Sequence, residues 1–219
     1  MEGVGLAEIA EISLRTLCVS SSALALALIL GVPTGIALGT RRFRGRGLLV
    51  TSVNAGMGAP PVVVGLLVAL LLWRSGPLGG LSLMYTPIAM IGAQALIALP
   101  LVIGITLAAV GALDEEWHLQ VRTLGIPRRW RLWLLVREIR LGLLAAVIAS
   151  LGGILSEVGA VQMVGGNLAG ETRVLSTAIL MHTSMGRFDT ALALACVLLG
   201  LTLLLAGLLT AVQQSGRSR

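Results

Sequence analysis

Long apolar stretches alternate along the chain with short charged ones. No Asp, Glu, Arg or Lys occurs from Thr16 to Thr40, Leu48 to Trp73, Ser75 to Leu113 or Thr190 to Gly216. Each stretch exceeds the ~20 residues with which a helix crosses a hydrocarbon core. The pattern predicts five membrane-spanning helices, at about 14–40, 48–73, 86–112, 141–163 and 189–212. Between the third and fourth, Leu113, Trp117, Val121 and Leu124 recur at helical spacing behind Asp114-Glu115-Glu116, acids suited to the positive end of a helix dipole. A short amphipathic helix is expected there, ended by the turn signal Gly125-Ile126-Pro127. The stretch from Val174 to Met185 is too polar to span comfortably, and its Ser176, Thr177, Thr183 and Ser184 suit a re-entrant or interfacial helix.

Composition sharpens this picture. Of 219 residues 56% are hydrophobic and 12% charged, with a mean hydropathy of +0.96, which leaves too little polar surface to clothe a soluble globule. The expected fold class is an all-α membrane protein. All 16 basic residues are arginine. Without lysine there is no Walker A loop and no Schiff-base chemistry. Cys18 and Cys196 lie in apolar runs, where cysteine behaves as a small buried hydrophobe rather than a metal ligand.

The arginines order the membrane. Four lie at Arg41, Arg42, Arg44 and Arg46, six between Arg122 and Arg140, and two at Arg217 and Arg219; Arg15, Arg74, Arg173 and Arg187 are scattered. With five spans the three clusters share one side, so the positive-inside rule predicts an outside N-terminus and a cytoplasmic C-terminus. Six spans would divide the clusters between both faces. This placement, rather than nucleic-acid binding, accounts for the basic balance. Glu2, Glu8 and Glu11 replace the basic flank of an export signal, so the first helix is expected to stay uncleaved.

Within the spans, Gly31, Gly35 and Gly39 form a four-residue repeat that admits a close neighbour helix. Gly56, Gly58 and Pro60-Pro61 must bend or break the second span, which lipid tolerates only where protein or water covers the break. Two readings stand: a kinked packing helix, or a wall of a water-accessible pathway. Gln94, ahead of Pro100, suits interhelical hydrogen bonding.

A helix, a glycine and a return helix between two late spans resemble the EAA loop of ABC-importer permeases, whose short helix docks on a cytoplasmic ATPase. Aligned on Gly125, the Glu-Ala-Ala of that motif falls on Leu119, Gln120 and Val121, and its terminal Leu-Pro on Arg137-Glu138; both depart from the usual pattern. Thr123-Leu124-Gly125 and the following Arg-Trp segment keep its shape. Gly58-Ala-Pro-Pro-Val-Val-Val-Gly-Leu-Leu-Val, then Arg74-Ser-Gly-Pro-Leu-Gly, resembles the second span and outer loop of oxyanion importer permeases. Ser156-Glu-Val-Gly-Ala-Val-Gln-Met-Val-Gly-Gly-Asn, with Gly170-Glu-Thr-Arg and Ser176-Thr-Ala-Ile, resembles the molybdate, sulfate and tungstate permeases. Ser156-Glu157-Val158 and Arg137-Glu138 are most similar to the tungstate branch.

This resemblance covers about 10–212 and implies a type I, MetI-like permease domain there, with 213–219 as a short cytoplasmic tail. It implies a homodimer in a prokaryotic cell membrane, two copies of a cytoplasmic ABC ATPase that bind ATP and Mg, and an extracytoplasmic oxyanion-binding protein. The chain itself is expected to hold no cofactor, no metal and no catalytic group. Leu119, Gln120, Val121, Thr123, Leu124 and Gly125 are the candidates for ATPase coupling. Pro60, Pro61, Glu157, Gly165, Gly166, Asn167, Thr172 and Arg173 are the candidates for the translocation pathway or gate.

A lone carboxylate such as Glu157 is a poor oxyanion ligand, and burying it in a membrane costs about 3 kcal/mol on insertion scales unless it is partnered or wet. Its role is either to tie helices and the following loop by hydrogen bonds, or to act as a gate. The loop Gly165-Gly166-Asn167-Leu168-Ala169-Gly170 tolerates left-handed backbone, so its amides could turn toward an anion; it is equally a plain turn. The rival functions are weaker. A membrane enzyme would need a constellation such as HExxH, GxSxG or paired intramembrane carboxylates, and a secondary transporter several intramembrane ionisable groups.

Overall fold

The computed structural model describes residues 5–215, and only the backbone of Glu115, His118, Arg122, Arg128 and Ser215. Residues 216–219 of the expected tail lie outside it. Ten α-helices and one 3-10 turn are described, with no strand among the described residues. They are α1 (Leu6–Thr40), α2 (Arg46–Met57), α3 (Pro61–Leu72), α4 (Pro87–Gly111), α5 (Glu115–Thr123), α6 (Arg128–Glu138), α7 (Arg140–Ser156), α8 (Gly159–Gly165), α9 (Leu175–Ser184) and α10 (Phe188–Ser215).

Helices α1, α4 and α10 are each long and apolar enough to cross a membrane, and the bent pairs α2–α3 and α6–α7 pass the same test. Their directions follow from the packing. The glycine stripe of α1 seats α4: a Cβ at Gly31, Gly35 or Gly39 would lie 2.7, 2.7 or 2.6 Å from the side chains of Val102, Thr106 and Val110. Residue numbers rise together along both helices, so α1 and α4 run parallel. The chain between them therefore crosses back once, and α2–α3 does so, with Gly56 against Pro100 near mid-span and Leu72 packed with Ala89 and Met90 at the start of α4. Helix α7 is antiparallel to α4, since Gly142 meets Ala109 while Ile154 meets Gln94. Helix α10 returns, from Leu194 beside Ile12 and Leu175 to Gln213, whose Nε2 donates to the Leu141 carbonyl. Direction thus alternates along the bundle from α1 through α2–α3, α4 and α7 to α10.

The elements differ from the expected spans in three places. The first helix starts at Leu6 instead of about 14, because Glu8 and Glu11 face Arg173 and Arg15 and so add charged turns without unpaired charge. The second span is broken by 105°, more than a kink: α2 stops at Gly58, and Pro61 occupies the first turn of α3, where its missing N–H costs nothing. The fourth span, expected to run to 163, ends at Ser156, and the chain re-enters helix at Gly159. Both cysteines sit exposed on the outer surface of their helices rather than buried.

Helix α4 is the hub. Met90, Ala93 and Val102 are fully buried in it, between α1 on one side and α7, α3 and α8 on the others. Large apolar side chains face outward elsewhere, among them Val63, Leu67 and Leu70 on α3 and Leu199, Leu203 and Leu204 on α10. In water such a surface would aggregate; against acyl chains it is neutral.

Candidate functional site

Two helix breaks lie close together. The α2–α3 break carries Pro60 and Pro61, and the α7–α8 break carries Glu157. Their flanks pack backbone to backbone: a Cβ on Gly65 would lie 2.4 Å from Ala160 Cα, and one on Gly159 would lie 2.7 Å from Val62 Cγ2. Glu157 is 9% exposed, and its carboxylate accepts from the Ala160 N–H at 2.8 Å, capping the N-terminus of α8. Its carbonyl accepts from the Ser176 hydroxyl at 2.9 Å, which joins the break to α9. Gln94 reaches the same place from α4, its Nε2 donating to the Ile154 carbonyl at 3.3 Å. Glu157 and Gln94 are thus buried together, while the proline break lies beside them with Pro60 exposed and Pro61 half-buried, the three coming from separate parts of the sequence.

The loop after α8 forms a second group. Gly166 and Asn167 both take left-handed backbone, with φ of 71° and 55°. A side chain at Gly166 would also strike the Tyr85 ring, 2.7 Å away. Gly165 packs on Met90. Thr172 is fully buried and closes the loop, its hydroxyl donating to the Gly165 carbonyl at 2.5 Å and accepting from the Leu168 N–H at 2.9 Å. The Thr177 hydroxyl donates to Asn167 Oδ1 at 3.0 Å. The N–H groups of Gly166, Glu171, Thr172 and Arg173 are all spent on carbonyls within this segment. Arg173 lies 3.6 Å from the Glu8 carboxylate, and its Nε is buried without a partner among the described residues.

Arg15 was visible in the sequence only as a scattered charge, yet it fastens this loop to α1. It donates to the carbonyls of Gly170 at 2.7 Å and Arg173 at 3.2 Å and pairs with Glu11 at 2.5 Å. Thr16, one residue on, accepts from the Leu175 N–H at 2.9 Å. An ionisable residue near the start of an apolar helix was the available signal, since such groups require partners. His182, beside this loop, is held below its ordinary pKa of 6.5 by burial and then by Arg187 and Arg173, with Glu8 opposing.

The third group lies at the opposite end. Helix α5 is anchored by Trp117 against the cluster of Ile36, Val110, Leu135 and Ile139. Val121, aligned with the motif's contact positions, is only 6% exposed and faces inward, so it anchors the helix instead of presenting a contact surface. Leu119 and Leu124 point out, 57% and 73% exposed, with Gln120 and Thr123 beside them. Gly125 ends the helix at φ 61°, a left-handed turn that favours glycine. Among the coupling candidates the structure thus separates Leu119, Gln120, Thr123, Leu124 and Gly125 on the surface from Val121 beneath it.

The described residues thus form a membrane bundle of broken helices with an exposed, apolar-tipped amphipathic helix at its arginine-rich end. The family model described as binding-protein-dependent transport system inner membrane component matches residues 31–217, and the chain belongs to that family. It is 40% identical over 196 residues, 90% of its length, to a tungstate uptake system permease protein of Peptoclostridium acidaminophilum, covering 86% of that protein. It is 39% identical over 205 residues, 91% of its length, to a probable anion ABC transporter permease protein of Haloferax volcanii, covering 88% of it. A chain from inward-facing conformations of a methionine ABC transporter superposes with a TM-score of 0.76 at 17% identity, covering 99% of both chains, and shares the fold.

Proposed function

We propose that the chain is the permease subunit of an ATP-driven importer that brings an oxyanion, tungstate first, into a prokaryotic cell. The carrying observation is 40% identity over nine-tenths of the chain to a tungstate uptake permease. Two copies pair around a central path, each meeting one cytoplasmic ATPase that holds ATP and Mg, and an outer binding protein delivers the anion. The arginine-rich end is the cytoplasmic one, by the positive-inside rule. Leu119, Gln120, Thr123, Leu124 and Gly125 receive the ATPase, with Val121 seating their helix. Closure of the ATPases then rocks the spans between two discrete packings.

In this reading Glu157 is a positioning residue: it caps α8 and holds the helix breaks together, and no anion binds to it. Asn167, Thr172 and Arg173, with Gly165 and Gly166, shape the outer mouth. Specificity resides mostly in the binding protein, so molybdate, sulfate or another small solute in the same machine is the second reading. An ATP-independent channel or secondary transporter is more remote, since the spans contain little ionisable chemistry besides Glu157.

The test is ATP hydrolysis in liposomes that hold this chain with its co-encoded ATPase and binding protein. Tungstate is expected to stimulate at lower concentration than molybdate or sulfate. A different order of potency would change the cargo, and failure to assemble with any ATPase would remove the importer reading.

A further inference from the structure

We infer that the arginine-rich end carries a built site for one anionic phospholipid per subunit, seated between the last turns of α1 and the start of α2. This goes beyond the transport reading and does not depend on the cargo. A groove of about 790 Å³ opens there, lined by Pro33, Thr34, Ala37, Leu38, Arg41, Arg42, Phe43 and Leu49. Its floor is apolar, with Leu38 buried, and Phe43 and Leu49 form half-exposed walls. The hydroxyl of Thr34 is already spent on the Leu30 carbonyl, so it leaves no unpaired donor on the wall.

Arg41 and Arg42 stand at the mouth, both exposed, and neither lies in an ion pair among the described residues. Arg46 instead donates its Nε to the Leu38 carbonyl at 2.7 Å, which pins the start of α2 against α1 and holds the groove's shape.

Length selects the occupant. From Pro33 to Arg41 the helix advances roughly 12 Å at 1.5 Å per residue, close to the ~15 Å depth of one leaflet's hydrocarbon. A free phosphate or a soluble anion would satisfy the guanidinium groups and leave this apolar length wet. A zwitterionic lipid would fill the length and leave the two positive charges without a net negative partner. An anionic glycerophospholipid satisfies both, as basic pockets at helix ends do for acidic headgroups. An extended protein segment would have to enter below the headgroup level, where its backbone would lack hydrogen-bond partners, and an apolar helix would leave Arg41 and Arg42 without a negative partner.

The test is native mass spectrometry of the full-length detergent-solubilised protein. It would be titrated with phosphatidylglycerol, with phosphatidylcholine of the same acyl chains, and with glycerol phosphate. Phosphatidylglycerol is expected to be retained at one per subunit, at least about tenfold more tightly than phosphatidylcholine, while glycerol phosphate fails to displace it. Arg41→Gln with Arg42→Gln should remove that preference. Ala37→Trp, which keeps every charge but fills the groove, should also abolish retention. Arg44→Gln, close by but outside the groove, should change it by less than about twofold. Equal retention of the two lipids, displacement by glycerol phosphate, or an equal loss from Arg44→Gln would each overturn the site in favour of diffuse surface charge. Unchanged retention in Ala37→Trp would overturn the acyl groove.

Discussion

The two ends of the bundle are built on opposite rules. At the end that holds the 157–187 segment, polar groups are turned toward one another: Arg15, Thr16, Glu157, Thr172, Ser176 and Thr177 each bond a backbone group across a loop or helix boundary, Thr177 by accepting from the Val174 N–H. At the arginine-rich end, α5, the turn after it and α6 leave Leu119, Leu124, Trp130, Leu132 and Trp133 outside. One end is mostly satisfied within the chain, with Arg173 Nε and His182 Nδ1 the buried exceptions among the described residues, and the other leaves large apolar side chains on its surface. The first should therefore respond to substitution by losing stability, the second by losing association while the fold persists.

The largest effect is expected where the two helix breaks pack. Gly65→Leu sets a Cβ 2.4 Å from the Ala160 backbone, and backbone cannot swing aside as a flexible side chain can. The cost should exceed the ~1–3 kcal/mol usual for overpacking, and thermal unfolding in detergent should show little folded protein. A variant with the wild-type unfolding temperature would break the description of the breaks as a packed joint.

Next comes the exposed end. Leu119→Asp with Leu124→Asp should weaken ATPase co-purification by more than about tenfold, as for loss of a hot spot worth ~2 kcal/mol or more, with unfolding temperature unchanged. A fall in stability of the isolated subunit would show that these leucines belong to its own core and would erase the contrast between the ends.

A smaller loss is expected at the self-satisfied end. Thr172→Val removes the bond to the Gly165 carbonyl and strands the Leu168 N–H. About 1–3 kcal/mol should follow, visible as faster amide exchange confined to 165–173. Protection equal to wild type would mean that the loop is held by packing alone.

The smallest effect is a pH dependence. His182 has a folded pKa below its unfolded value of 6.5. The folded state therefore binds fewer protons, so this contribution to stability is complete above 6.5 and is lost as pH falls through that value toward the folded pKa. His182→Gln should flatten the decline in unfolding temperature between about pH 7.5 and 5.5. An identical decline in the variant would assign the dependence to other groups.

How much of this was legible in the sequence varies by element. The apolar helices and the arginine-rich end follow from counting apolar runs and placing charge, and the three long helices and two bent pairs fall on those runs. The glycine stripe at 31, 35 and 39 announced a close neighbour but could not name α4, since a stripe of small residues specifies only that backbone approaches. Pro60-Pro61 announced a break but not its 105°. The inward turn of Val121 was implicit in its own periodicity with Leu113 and Trp117, and the motif alignment pulled the other way.

The sequence by itself determined what the solvent enforces: a membrane chain, its apolar helical runs, its likeness to transport permeases, and which residues are unusual enough to carry a role. These are one-dimensional properties of polarity, spacing and backbone freedom. The tertiary structure decided which unusual residues meet. It brought the proline break to the Glu157 break, with Gln94 between α4 and α7, and tied Arg15 to a loop more than 150 residues away. It also left Arg41 and Arg42 at the mouth of an apolar groove. Hydrogen bonds and close backbone packing are short-ranged and directional, so these partnerships exist only once helices distant in sequence have been placed side by side.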